Sequence, residues 1–130
     1  MKVTGLNHVN IVAGDLDRTI AFYQSVLGMQ ARELPAAPAG SRGRWIYDDA
    51  GQPIIHVQPY DRERHGMRGE RSTGPIDHVA LTCSDFEGML RRCRELGLEH
   101  RVNDRQFRNL RQVFVTDPDN VVLELNFPGD

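Results

Sequence analysis

The sequence predicts an α+β chain built from two βαβββ modules whose strands form a curved mixed sheet. Three observations carry this. Leu6-Asn7-His8-Val9-Asn10-Ile11-Val12 is echoed 70 residues later by Ile76-Asp77-His78-Val79-Ala80-Leu81-Thr82. Each copy is followed by an Asp, also 70 residues apart (Asp15 and Asp85), and then by a helix-period stretch ending in Leu-Gly. The remaining extended runs of each copy alternate with period two and close on a very apolar strand.

In chain order, strands are expected at 5–12, 29–33, 43–48 and 53–59 in the first copy, and at 75–83, 99–103, 111–117 and 120–127 in the second. The first helix is expected over 16–27. Leu16, Ile20, Tyr23 and Leu27 fall at i, i+4, i+7 and i+11 on one face, Asp15 is placed to cap the first turn, and Gly28 suits a left-handed stop. The second helix is expected over 85–96, with Ser84 and Glu87 as a capping box and Phe86, Leu90 and Cys93 as its apolar stripe. Residues 35–41 read as a loop. Asp117-Pro118-Asp119-Asn120 reads as a hairpin turn, because Pro fixes φ and Asn tolerates positive φ. The whole chain, 1–130, is expected to act as one domain, with a first module at 1–59, a polar Arg- and Gly-rich linker at 60–74 and a second module at 75–130.

Composition narrows the function. The 130 residues are 39% hydrophobic and 26% charged, a globular balance rather than that of a disordered tail. No apolar run reaches the roughly 18–20 residues that span a bilayer, and the sequence enters strand-like residues without a signal-peptide core. The net charge of −2 gives no global footprint for nucleic acid or a membrane surface, so neither is an expected partner. Cys83 and Cys93 are too few for a disulfide scaffold and match no zinc-knuckle spacing, which implies a reduced, cytoplasmic chain with two buried thiols.

The titratable residues of the strands share one face. On the last strand Val121, Leu123, Leu125 and Phe127 point one way, and Val122, Glu124 and Asn126 point the other. Val9 and Ile11 likewise oppose His8 and Asn10, Val79 and Leu81 oppose His78 and Ala80, and Ile55 and Val57 oppose His56 and Gln58. The spacing from His8 to His56 is 48, and from His78 to Glu124 it is 46, so the copies deliver His/His and His/Glu from matched strands. Four such groups converging without partners would be costly. A divalent ion satisfies them together, and imidazoles with one carboxylate suit Zn, Ni, Mn, Fe(II) or Co. Asn7, Asn10, Gln58 and Asn126 are candidate amide partners behind them. Arg105, Arg108 and Arg111, just before a strand of the same face, are candidate contacts for an anionic substrate group. Trp45 and Tyr47 share a strand face, and His65 and His100 have no ligand-like context.

The sequence resembles the vicinal oxygen chelate superfamily, which includes glyoxalase I, fosfomycin- and bleomycin-resistance proteins and extradiol dioxygenases. The matching pieces are Asn7-His8-Val9, Asp15 through Leu27-Gly28, Asp77-His78-Val79-Ala80, and Phe114-Val115-Thr116-Asp117-Pro118-Asp119-Asn120 running on to Leu123-Glu124-Leu125. The resemblance implies paired βαβββ modules around a metal cleft, with His8, His78 and Glu124 as a two-His, one-carboxylate set. His56 stands where glyoxalase-type members usually carry a fourth ligand, commonly Glu, which implies a ligand, an acid/base group or a substrate contact. It also implies a metal-dependent isomerase or lyase of glyoxalase type, in which a small substrate chelates the metal through adjacent oxygens, Glu124 moves a proton, and the protein is a homodimer. Two alternatives stay open. One is an extradiol-type dioxygenase or another oxidoreductase of the superfamily, although Phe114 occupies the place where extradiol enzymes usually carry Tyr. The other is a metal-free antibiotic-binding protein, which would lack the ligand set.

Overall fold

The structure, a computed structural model, describes residues 1–2, 5–33, 42–65, 75–103 and 110–129. The chain divides into two compact units, Met1–Met67 and Arg68–Asp130. In the first, β1 (Val9–Ala13), α1 (Leu16–Leu27), β2 (Gln30–Glu33), β3 (Arg44–Tyr47) and β4 (Pro53–Pro59) are followed by a single helical turn, α2 (Arg62–His65). In the second, β5 (Val79–Thr82), α3 (Phe86–Glu95), β6 (His100–Asn103), β7 (Leu110–Thr116) and β8 (Val122–Pro128) repeat the order. The expected βαβββ modules are therefore both present. The expected linker contains α2, and its remainder, with the loop 35–41, falls almost wholly outside the described residues.

The sheets have matching topology, β1-β4-β3-β2 and β5-β8-β7-β6. In each, the first strand runs parallel to the last, and the other neighbours are antiparallel. The registers match as well. Val9 faces Ile55 and Asn10 faces His56 in the first sheet, where Val79 faces Leu123 and Ala80 faces Glu124 in the second. Trp45 lies opposite His56 as Phe114 lies opposite Glu124. His56 and Glu124 thus hold equivalent positions.

One face of each sheet is closed by its helix. In the first unit Ile11, Ile46, Ile55 and Val57 are buried with Leu16, Phe22, Tyr23 and Val26 of α1. In the second, Val113, Val115, Leu123, Leu125 and Phe127 are buried with Phe86, Met89 and Cys93 of α3. The stripe of α1 departs from the expected one. Thr19 is fully buried and Ile20 and Leu27 are only half-buried, because the Thr19 hydroxyl donates to the Asp15 carbonyl and so enters the core satisfied. Leu90, expected in the α3 stripe, is half-buried, and Met89 takes its place.

The caps differ between the repeats. Asp15 caps α1 from an extended backbone by accepting from the Arg18 amide, and Gly28 ends it at φ +68°. The cap of α3 is Asp85 rather than the expected Ser84 and Glu87 box. Its backbone sits at φ +64° and its carboxylate accepts from the Gly88 amide at 2.9 Å. A Cβ on Gly88 would overlap that carboxylate, so a larger residue there would push Asp85 out of its capping position. The turn before β8 is as expected: Asn120 takes φ +70°, and buried Asp117 accepts from the amides of Asp119 and Val121. Cys93 is buried, and burial pushes its thiol pKa up, whereas Cys83 is only half-buried. Among the described residues no helix is long and apolar enough to cross a membrane.

Candidate metal centre

Each unit brings together two of the four sequence-selected residues on the sheet face away from its helix. In the first unit, His8 lies exposed immediately before β1, because regular pairing starts at Val9 rather than at residue 5. Its Nδ1–H donates to Asn7 Oδ1 at 2.6 Å, which leaves the Nε2 lone pair as the free acceptor of the neutral ring. The edge of the His8 ring meets Trp45, with centroids 4.8 Å apart and planes at 78°. His56 stacks on the same indole at 4.7 Å and 21°, and the His8 and His56 centroids are 6.5 Å apart. Asn10 donates from Nδ2 to His56 Nδ1 at 2.8 Å while its Oδ1 accepts from Gln58 Nε2 at 2.7 Å.

In the second unit, His78 occupies the same place before β5. Its Nδ1–H donates to Asp77 Oδ2 at 2.8 Å, and its Nε2 is 3.3 Å from Glu124 Oε2. The other carboxylate oxygen, Oε1, accepts from Gln112 Nε2 at 2.9 Å and from Asn126 Nδ2 at 3.0 Å. Gln112 Nε2 also reaches Asn126 Oδ1 at 2.9 Å, and Gln112 Oε1 accepts from Asn103 Nδ2 at 2.7 Å. This amide network satisfies one edge of a mostly buried carboxylate and aims the other at His78. The hydrogen bond to Asp77 raises the His78 pKa above its ordinary value. Burial partly opposes the rise, and the charges of Glu124 and Asp77 add to it.

The donor chemistry fits a divalent ion. Both His8 and His78 have Nδ1 tied to an oxygen acceptor on the preceding residue, the arrangement that fixes the tautomer of metal-bound imidazoles. The 3.3 Å between His78 Nε2 and Glu124 Oε2 suits two neighbouring ligand atoms each about 2.1 Å from one ion. Among the described residues no three His, Cys, Asp or Glu side chains are grouped to hold a metal ion, so what each unit offers is a pair.

The arginines separate. Arg105 and Arg108 lie outside the described residues. Arg111 turns to the helix side of its sheet, opposite Phe127 in the register, where its guanidinium pairs with Glu87 at 3.0 Å and covers the Phe86 ring at 3.5 Å. It stands on the opposite face from Glu124, not beside it. Sequence reasoning passed over Asp77, Gln112, Asn103 and the contact of Trp45 with both imidazoles. The signal for Asp77 was in plain view: an oxygen-bearing residue precedes the repeated His in both copies. Among the described residues, His65 and His100 make local contacts, with the Asp61 amide and Tyr60 ring and with the Leu98 carbonyl respectively.

A family model described as the glyoxalase/bleomycin resistance protein/dioxygenase superfamily matches residues 5–125. The chain belongs to this superfamily. Among curated proteins, it is 23% identical to Glyoxylase I 4 of Arabidopsis thaliana over 128 residues, 96% of this chain and 71% of that protein. Among solved structures, a glyoxylase/bleomycin resistance protein/dioxygenase domain from Frankia sp. EAN1pec shares the fold with a TM-score of 0.73 at 17% identity, covering 98% of this chain and 93% of that one. A mutant of the fosfomycin resistance protein FosX of Listeria monocytogenes, solved with Mn(II) and 1S,2S-dihydroxypropylphosphonic acid, does so with a TM-score of 0.70 at 20% identity, covering 98% and 94%. The superfamily fold that the resemblance implied is thereby the fold of this chain.

Proposed function

We propose that this protein is a metal-dependent isomerase or lyase of glyoxalase type acting on a small oxygenated substrate. In this reading His8 joins His78 and Glu124 on one divalent ion, within a chain or between the two copies of a homodimer. The observation that carries it is the repeated tautomer lock, Asn7 on His8 and Asp77 on His78, together with a carboxylate whose Oε2 is left facing His78. Bound there, the metal supplies Lewis-acid stabilisation of negative charge developing on two adjacent substrate oxygens. The chain's own residues do the rest. Asn7 and Asp77 hold the imidazoles with Nε2 outward. Gln112 and Asn126 fix Glu124 Oε1, so Oε2 is the oxygen that would bind the ion and that could carry a proton only when released from it.

Metal analysis of purified protein, then screening of its Fe(II), Mn, Ni and Zn forms against hemithioacetals of α-ketoaldehydes, catechols and fosfomycin, tests the reading. Fosfomycin belongs in the screen because of the FosX likeness. The expected result is one metal per complete site and turnover of a hemithioacetal. Metal uptake unaffected by Glu124→Gln, or tight binding of an apolar ligand to metal-free protein with no turnover by any metal form, would overturn it. Light scattering should give the mass of two chains.

A further inference from the structure

His56 is the sequence's fourth candidate ligand, yet its surroundings differ from those of His8 and His78 in three ways. First, the residue before it is Ile55, which is buried in the core at 2% exposure, so no oxygen precedes the ring to receive a proton from Nδ1. Second, His56 Nδ1 meets a donor instead of an acceptor. Asn10 accepts from Gln58 through Oδ1, which directs its Nδ2 N–H at His56. A neutral imidazole that accepts at Nδ1 carries its hydrogen on Nε2, and a protonated Nε2 has no lone pair for a metal. Third, that Nε2 is buried and the ring lies flat on Trp45, which also meets the edge of the His8 ring. Glu124, at the equivalent register position of the second sheet, is presented in the opposite sense: its inner oxygen receives the amide hydrogens and its outer oxygen faces His78.

We infer that His56 stays off the metal and is a positioning residue, an imidazole fixed as its Nε2–H tautomer that backs Trp45 and, through Trp45, orients His8. The inference rests on the metal centre proposed above and narrows it to two imidazoles and one carboxylate. A four-residue set leaves two positions of a six-coordinate ion open. A three-residue set leaves three, enough for a chelating pair of substrate oxygens and one further small ligand.

Long-range proton–nitrogen NMR of uniformly 15N-labelled protein, at a pH where the rings are neutral, reads the tautomer of each histidine before and after one equivalent of Zn(II). His8 and His78 should be Nδ1–H and His56 Nε2–H. Zinc should move the Nε2 resonances of His8 and His78 and leave the tautomer pattern of His56 as it was. A His56 that is Nδ1–H, or whose Nε2 takes on a zinc-bound shift, overturns the inference. Zinc that moves none of the three overturns the metal centre itself, while the tautomer in the free protein still decides whether His56 is held as described.

Competitive zinc titration adds a second readout. His56→Phe keeps a ring against Trp45 but can bind no metal, so its affinity should stay within about threefold of the parent. His56→Ala, which removes the backing, should lose about tenfold, the lower end of the usual effect of residues behind a ligand. Equal losses of a hundredfold or more in both variants would make His56 a ligand.

Discussion

Gln112 is the residue through which the amide network of the second unit can be tested. Replacing it with Leu keeps the volume and deletes three hydrogen bonds: from Nε2 to Glu124 Oε1 at 2.9 Å, from Nε2 to Asn126 Oδ1 at 2.9 Å, and from Asn103 Nδ2 to Oε1 at 2.7 Å. A bond to a charged acceptor is worth about 1.5–3 kcal/mol and a neutral one about 0.5–1.5 kcal/mol. Asn103 and Asn126 are half-buried and regain water in part, and Leu returns some apolar burial. The expected net cost is therefore about 2–4 kcal/mol. Urea unfolding reads it as a lower midpoint at an unchanged slope. The same change frees the Glu124 carboxylate to rotate, since only Asn126 among the described contacts still holds Oε1. Zinc affinity should then fall about 10- to 100-fold. A variant as stable as the parent, with unchanged zinc affinity, would refute the claim that Gln112 orients Glu124.

Leu123 is fully buried beneath α3 and beside Glu124 in sequence but on the other face, so Leu123→Ala should cost about 2–5 kcal/mol in denaturant unfolding while zinc affinity of the folded protein is retained. Asp77→Asn removes the charge that, with its hydrogen bond, raises the His78 pKa. Protonated His78 favours the folded state fully below the ordinary histidine value, and that contribution is lost as pH rises through the raised one. The variant's His78, followed by ring-proton NMR, should therefore titrate at lower pH, and zinc release on acidification should begin at lower pH; an unchanged titration would refute the assignment. Gly88→Ala should destabilise by up to about 1 kcal/mol, the loss of the Asp85 cap outweighing the gain of about 1 kcal/mol that an ordinary helix glycine shows on becoming alanine. A stabilised variant in thermal or urea unfolding would show that the close approach to Asp85 is relieved without cost.

Much of the fold was legible because the chain states it twice. The repeated His, the Asp at each helix start and the Leu-Gly at each end fix two modules, and period two sorts His56 and Glu124 away from Ile55 and Leu123 without coordinates. The misplaced parts have local causes. Ser84 and Asp85 are both good caps, and only the positive φ of Asp85 with the vacant Cβ space of Gly88 decides between them. Thr19 reads as polar until its hydroxyl is seen bonded to the Asp15 carbonyl. Arg111 reads as a solvent or substrate cation, yet it shares a face with Val113 and Val115 and uses its guanidinium to cover Phe86. Of the amide network, Asn126 was legible from its place two residues from Glu124 on one strand face, but Asn103 and Gln112 were not, since they join it only through a register that no local pattern specifies.

The placement of the ultraviolet chromophores has a practical outcome. The chain's single Trp and all three Tyr, at 45, 23, 47 and 60, belong to the first unit, and the second carries only Phe. Emission excited at the indole band, and near-ultraviolet dichroism above the Phe region, therefore follow the melting of one half of the molecule, while amide dichroism follows both. Superposed transitions would mean that the halves cooperate as a single thermodynamic body; displaced ones would give each half its own free energy of unfolding, resolved without any label.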